Sequence, residues 1–203
     1  MEQPYHVLNL NFSLNDGWKI YANNNETRQV IIDKNCSMLS STTKFVLEDL
    51  GFQVNYALLW SWPRMLGYGT KVHGHPYEDH FHIDYPLHHG AEVAINYLIK
   101  GDPGKTEWVD MKYVTNVGTA NNPVYERPSH NDVQLFLNNG GDVVQAILQP
   151  NEPMLARINV PHRVVTSDII NTRWAYSLRL LDKKTNKLVT WETAKKYLRD
   201  YLA

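Results

Sequence analysis

The stretch EDHFHIDYPLHHG, residues 78–90, sets His80, His82 and Asp84 on alternate positions and follows them with His88 and His89. Imidazole nitrogen and carboxylate oxygen are ligands for a divalent transition metal. In an extended strand alternate side chains share a face about 7 Å apart, so His82 and Asp84 can converge on one ion. His80 shares that face, and a second spelling with His80 and His82 as the ligands stays open on spacing alone. His88 and His89, adjacent before Gly90, read as solvated loop histidines. The His-x-acid pattern is cheap: nine His among 21 acidic residues give about one match by chance, and the chain holds two. The other, His130 and Asp132, falls in SHNDVQLFLNNGG, where a Ser129 cap and a Gly140 stop predict a helix. Residues two apart on a helix point in different directions, so that pair makes a poor chelate.

Two ligands need a third, and His162 in VPHRVVTSD follows the strand-like MLARINV. Alone, His162 would read as a satisfied core or loop histidine. The downstream run RWAYSLRLL changes the weighing, because its two faces differ chemically. Trp174, Tyr176, Leu178 and Leu180 form one face; Arg173, Ala175, Ser177 and Arg179 form the other. Two small residues between two arginines suit the wall of a cavity holding an anion, with a guanidinium gripping a carboxylate in bidentate fashion. The bland alternative is an exposed edge strand with solvated arginines.

In motif order, HFHID, then EVAINYLIKG, then VPHRVVTSDIINTRWAYSLRL resembles the Fe(II)- and 2-oxoglutarate-dependent dioxygenases, especially the small prolyl-hydroxylase-like branch. The likeness spans roughly residues 68–181 and leaves the N-terminal part unmatched. It implies a facial triad of His82, Asp84 and His162 around Fe(II). It further implies that Arg173, about ten residues past the distal His, binds the far carboxylate of 2-oxoglutarate, with Tyr97 hydrogen-bonding the same group and Ser177 beside it. Two imidazoles and one carboxylate leave three metal positions open for the co-substrate and dioxygen. The implied reaction decarboxylates 2-oxoglutarate to succinate and carbon dioxide and oxidises a nearby C–H bond. Asp84 favours hydroxylation or desaturation over halogenation, since halogenating relatives lack the carboxylate. The substrate, a peptide or a small molecule, is not legible.

The elements that must position these groups are mainly β. Short apolar runs rich in β-branched and aromatic residues alternate with Gly and Pro, the pattern of a sandwich or barrel. The expected strands are 5–12, 18–22, 29–33, 80–84, 92–99, 106–114, 143–148, 154–160 and 173–181. Helices are expected over SSTTKFVLEDLG, with Ser/Thr caps and the Gly51 stop, over SHNDVQLFLNNGG, and over the C-terminal TWETAKKYLRDYLA. With the resemblance, this reads as one domain over 1–203: a double-stranded β-helix, a jelly-roll of the cupin type, with the first and last helices buttressing one sheet. Residues 57–78, containing Trp60, Trp62, Arg64, Tyr68, His73 and His75, read either as a wall of the pocket mouth or, for the two tryptophans, as core.

Composition narrows the function classes. With 43% apolar residues the chain can bury a core, and a formal charge of -1 gives no electrostatic reason to expect nucleic acid or an anionic membrane. Cys36 is the single cysteine, which excludes an internal disulfide and any thiolate cluster. The N-terminus MEQPYHVLNL lacks a signal-peptide pattern and no run suits a membrane span, so the expectation is a soluble cytoplasmic protein. Two rivals stand beside the oxygenase. A cupin-like metalloprotein or isomerase would use His73, His75 and Glu78 without 2-oxoglutarate, and a β-sandwich binding protein would carry incidental histidines.

Overall fold

The computed structural model describes residues 2–22, 29–62, 92–101, 103–109, 135–165 and 173–203. Two antiparallel sheets dominate them. The large sheet runs in the order β1 (Tyr5–Val7), β7 (Met154–Arg157), β4 (Val93–Lys100), β9 (Arg173–Asp182), β3 (Phe52–Trp62), β2 (Gln29–Asp33), with β10 (Lys187–Leu188) pairing onto β9. The small sheet has the order β6 (Val143–Ile147), β5 (Lys105–Val109), β8 (His162–Val165).

The alternation of β9 decides how the layers stack. Trp174, Tyr176, Leu178 and Leu180 join Leu59 of β3 and Ile95 of β4 in one buried cluster with Leu47, Trp191, Ala194 and Leu198. The last four belong to α1 (Ser41–Asp49) and α2 (Trp191–Leu198), so both helices buttress the same outer face. Each helix starts where its sequence says it should. The Ser40 hydroxyl accepts from the Thr43 N–H at 3.1 Å, and the Thr190 hydroxyl from the Thr193 N–H at 3.2 Å, each satisfying an otherwise orphaned donor. Gly51, at φ +100°, ends the first helix in a conformation that a side chain disfavours.

The opposite face of the large sheet meets the small one. Leu98, Met154 and Ala156 from the large sheet pack with Trp108 and Ala146 from the small sheet in a second buried cluster. Trp108 locks the layers twice: its indole N–H donates to the Arg157 carbonyl at 3.0 Å, and its ring stacks on Tyr5 at 5.5 Å. The architecture is therefore a mainly β sandwich with helices on one outer face. Among the described residues no helix is long and apolar enough to cross a membrane.

Two local expectations need correction. Residues 18–22 do not form a strand: Asp16–Ile20 is a 3-10 helix, started by the Asn15 side chain accepting from the Gly17 N–H at 2.8 Å. Phe52–Trp62, where no strand is expected above, is the long strand β3 beside β9. The expected strand 80–84, the extension of β5 beyond residue 109 and the start of the third helix lie outside the described residues; of that helix, residues 135–138 are helical.

Candidate functional site

Strand register determines which polar groups share the space between the sheets. His162 pairs with Trp108, and Trp108 belongs to the inter-sheet cluster, so the imidazole starts from the inward face of β8. It is 7% exposed. Its Nδ1 lies 2.8 Å from the Val160 carbonyl oxygen, which can only accept, so Nδ1 carries the proton. A neutral imidazole held in this way keeps its lone pair on Nε2, the tautomer that a metal ligand needs.

Across the gap, the inward face of β9 carries Arg173, Ala175, Ser177 and Arg179. The strand is central rather than an edge, paired with β4 on one side and β3 on the other. Arg173 is 3% exposed and Arg179 2%, so the alternative of solvated arginines does not hold. An Arg173 Nη2 lies 3.5 Å from the Pro103 carbonyl, at the outer limit of hydrogen-bond length. His162 and Arg173 are thus both buried and rise from the inward faces of opposing sheets.

Ser177 is engaged differently from its expected place beside Arg173. Arg179 Nη1 donates to the Ser177 hydroxyl at 2.6 Å, and that hydroxyl donates to Asn96 Oδ1 at 2.5 Å. Asn96 sits directly opposite Ser177 in the β4–β9 register. Sequence reasoning missed Asn96, although Ala94, Asn96 and Leu98 form the less bulky stripe of the strand and Asn96 is its only polar member.

Tyr97 is a correction. It pairs with Tyr176 and belongs to the helix-covered cluster, with its ring 4.9 Å from that of Phe12. Its hydroxyl donates to Asn151 Oδ1 at 3.1 Å. Because neighbours on a strand point to opposite faces, Tyr97 is on the far side of the sheet from Arg173 and does not share its carboxylate.

The proposed ligands His82 and Asp84 lie outside the described residues, as do His73, His75, Glu78, His80, His88, His89, His130 and Asp132. Among the described residues no three His, Cys, Asp or Glu side chains come together as a metal set, and His162 is the one proposed ligand among them. Glu107 is buried on the other face of the small sheet, where it accepts from Arg163 at 2.8 Å and Gln145 at 2.9 Å. That network is an ion pair across β8, β5 and β6, remote from His162 by strand face.

No family model matches the chain, and no curated protein shows significant similarity to it.

Proposed function

We propose that the chain is an Fe(II)- and 2-oxoglutarate-dependent dioxygenase that hydroxylates a substrate still to be identified, with a double-stranded β-helix as its fold. The observation that carries this reading is the pair His162 and Arg173, buried on the inward faces of opposing sheets. A fixed imidazole on one wall and a buried guanidinium on the other suit a metal and the far carboxylate of a diacid.

Strand pairing supports the fold. β5 pairs with β6, β4 with β7 and β3 with β9, all antiparallel and nested one inside the next. β8, which carries His162, falls between β7 and β9 in the chain. The chain between β3 and β4 contains His82 and Asp84. By residue type, His82 and Asp84 would join His162 in a set of two imidazoles and one carboxylate.

The donor set fits iron. The Nδ1–H to Val160 bond gives His162 the outer-sphere support that orients a ligating histidine. His82, Asp84 and His162 would hold the ion on one face. Bound Fe(II) would supply oxygen activation coupled to decarboxylation of 2-oxoglutarate. Arg173 binds the far carboxylate and so fixes which end of the diacid meets the metal. The apolar pair Trp108 and Leu98, both 0% exposed, keeps water from that wall.

Succinate formation tests this reading without knowledge of the substrate. Purified protein with Fe(II), dioxygen and 2-oxoglutarate should release succinate slowly by uncoupled turnover. Release that is unchanged when Fe(II) is omitted, or no release at all, would remove the proposal.

A further inference from the structure

The directed chain from Arg179 through Ser177 to Asn96 has a geometric consequence. A guanidinium can only donate, so Ser177 Oγ accepts from Arg179 at 2.6 Å. Polarised by that donor, the hydroxyl gives its single proton to Asn96 Oδ1 at 2.5 Å. The amide orientation of Asn96 is thereby fixed, with Oδ1 consumed and the Nδ2 hydrogens turned away from Ser177. Among the described residues Nδ2 has no hydrogen-bond partner. Asn96 shares the face of Met154 and Ser177, the face that looks into the inter-sheet space, and it is only half-buried there. A positioned amide donor on that wall matches an oxygen that accepts and does not donate.

We infer that Asn96 is a ligand-binding residue whose amide donates to a carbonyl or carboxylate oxygen at the keto-acid end of 2-oxoglutarate. This rests on the proposed function and extends it to a residue on a second strand. Spacing supports the division of labour. Ser177, level with Asn96, is four residues beyond Arg173, which is roughly 13 Å along the strand. One small diacid does not bring a single carboxylate to both levels. Arg173, with its long side chain, reaches for one end and the short Asn96 meets the other. Arg179 and Ser177 act through Asn96 as positioning residues.

The test is calorimetric titration of 2-oxoglutarate into anaerobic protein loaded with Fe(II), comparing wild type, Asn96→Asp, Ser177→Ala, Arg173→Ala and Gln145→Ala. Asn96→Asp keeps the acceptor for Ser177 and is nearly isosteric, but it replaces the donor by an anionic oxygen. It should weaken binding by about tenfold or more. Ser177→Ala leaves the amide in place but free to turn, and should lose about threefold. Gln145→Ala, on the outer face of the small sheet, should bind as wild type does. Thermal unfolding and iron content of each variant, both near wild type, show that the fold and the metal site persist. If Asn96→Asp is misfolded, Ser177→Ala alone decides, and unchanged affinity there overturns the inference. Wild-type affinity in a folded Asn96→Asp, with loss in Arg173→Ala, overturns the role of Asn96 and leaves the oxygenase reading standing. Failure of wild type to bind 2-oxoglutarate overturns both.

Discussion

Tyr97 stands directly across from Tyr176 in the β4–β9 pairing, so its ring belongs to the helix-covered face while Arg173 belongs to the other. Its hydroxyl is spent on Asn151. Tyr97→Phe should therefore leave 2-oxoglutarate affinity within about a factor of two of wild type. The lost hydrogen bond should cost about 1 kcal/mol of stability, read from denaturant unfolding. A large loss of affinity with stability intact would return Tyr97 to the site.

Arg173 and Arg179 both rise from the inward face of β9, and the proposed function gives the far carboxylate to Arg173. Arg179 donates to Ser177 at 2.6 Å, and Arg173 lies 3.5 Å from the Pro103 carbonyl near the start of β9. Charge-assisted hydrogen bonds to a carboxylate contribute about 2–3 kcal/mol, equivalent to roughly 30- to 150-fold in affinity. Arg173→Ala should weaken 2-oxoglutarate by that factor and leave iron binding nearly unchanged. Arg179→Ala, which removes the donor to Ser177, should lose about threefold. The reverse order would exchange their roles.

Iron affinity separates the candidate ligands. Alanine at His82, Asp84 or His162 should lower Fe(II) binding sharply, since each removes one of three protein donors. Alanine at His130 should not. Metal analysis after equilibrium dialysis measures all four, and equal losses at His130 and His82 would refute the chosen triad.

The structural carboxylate Asp33 sets a pH dependence of its own. Burial pushes its pKa up, but the Met38 and Ser37 N–H groups, the Ser37 hydroxyl and the Tyr176 hydroxyl outweigh that and hold it below the usual value. A carboxyl depressed in the folded state adds stability above the unfolded value of about 4, and loses it as pH falls through the folded value. Asp33→Asn should destabilise the protein by about 2–3 kcal/mol at pH 7. In thermal unfolding the gap between variant and wild type should narrow below about pH 4. A gap that is constant down to acid denaturation would mean that the carboxylate charge does not matter.

How much was legible follows from what each signal encodes. The two faces of β9 were readable because alternation is a local rule, and Trp174, Tyr176, Leu178 and Leu180 obey it without a break. Both ends of α1 were readable because Ser40 and Gly51 act within a few residues of themselves. The fate of Tyr97 was not, because only the pairing of β4 with β9 decides which of two neighbours faces inward. Asn96 was missed for the same reason: its meaning comes from Ser177, 81 residues away. β3 was missed although FQVNY alternates apolar and polar residues, because ALLW after it is a continuous apolar run that breaks the period. The 3-10 turn at Asp16–Ile20 was lost to an aromatic-rich string that Asn15 overrides.

The central claim is that one metal and one 2-oxoglutarate occupy the space between His162 and Arg173. Adding 2-oxoglutarate to anaerobic protein with Fe(II) and recording the visible spectrum tests this directly, because chelation of the metal by the keto acid produces a weak charge-transfer absorption. The account predicts that the band appears with wild type, disappears in His162→Ala, and in Arg173→Ala appears only at much higher co-substrate concentration. No band in wild type, or a band indifferent to His162, would contradict it.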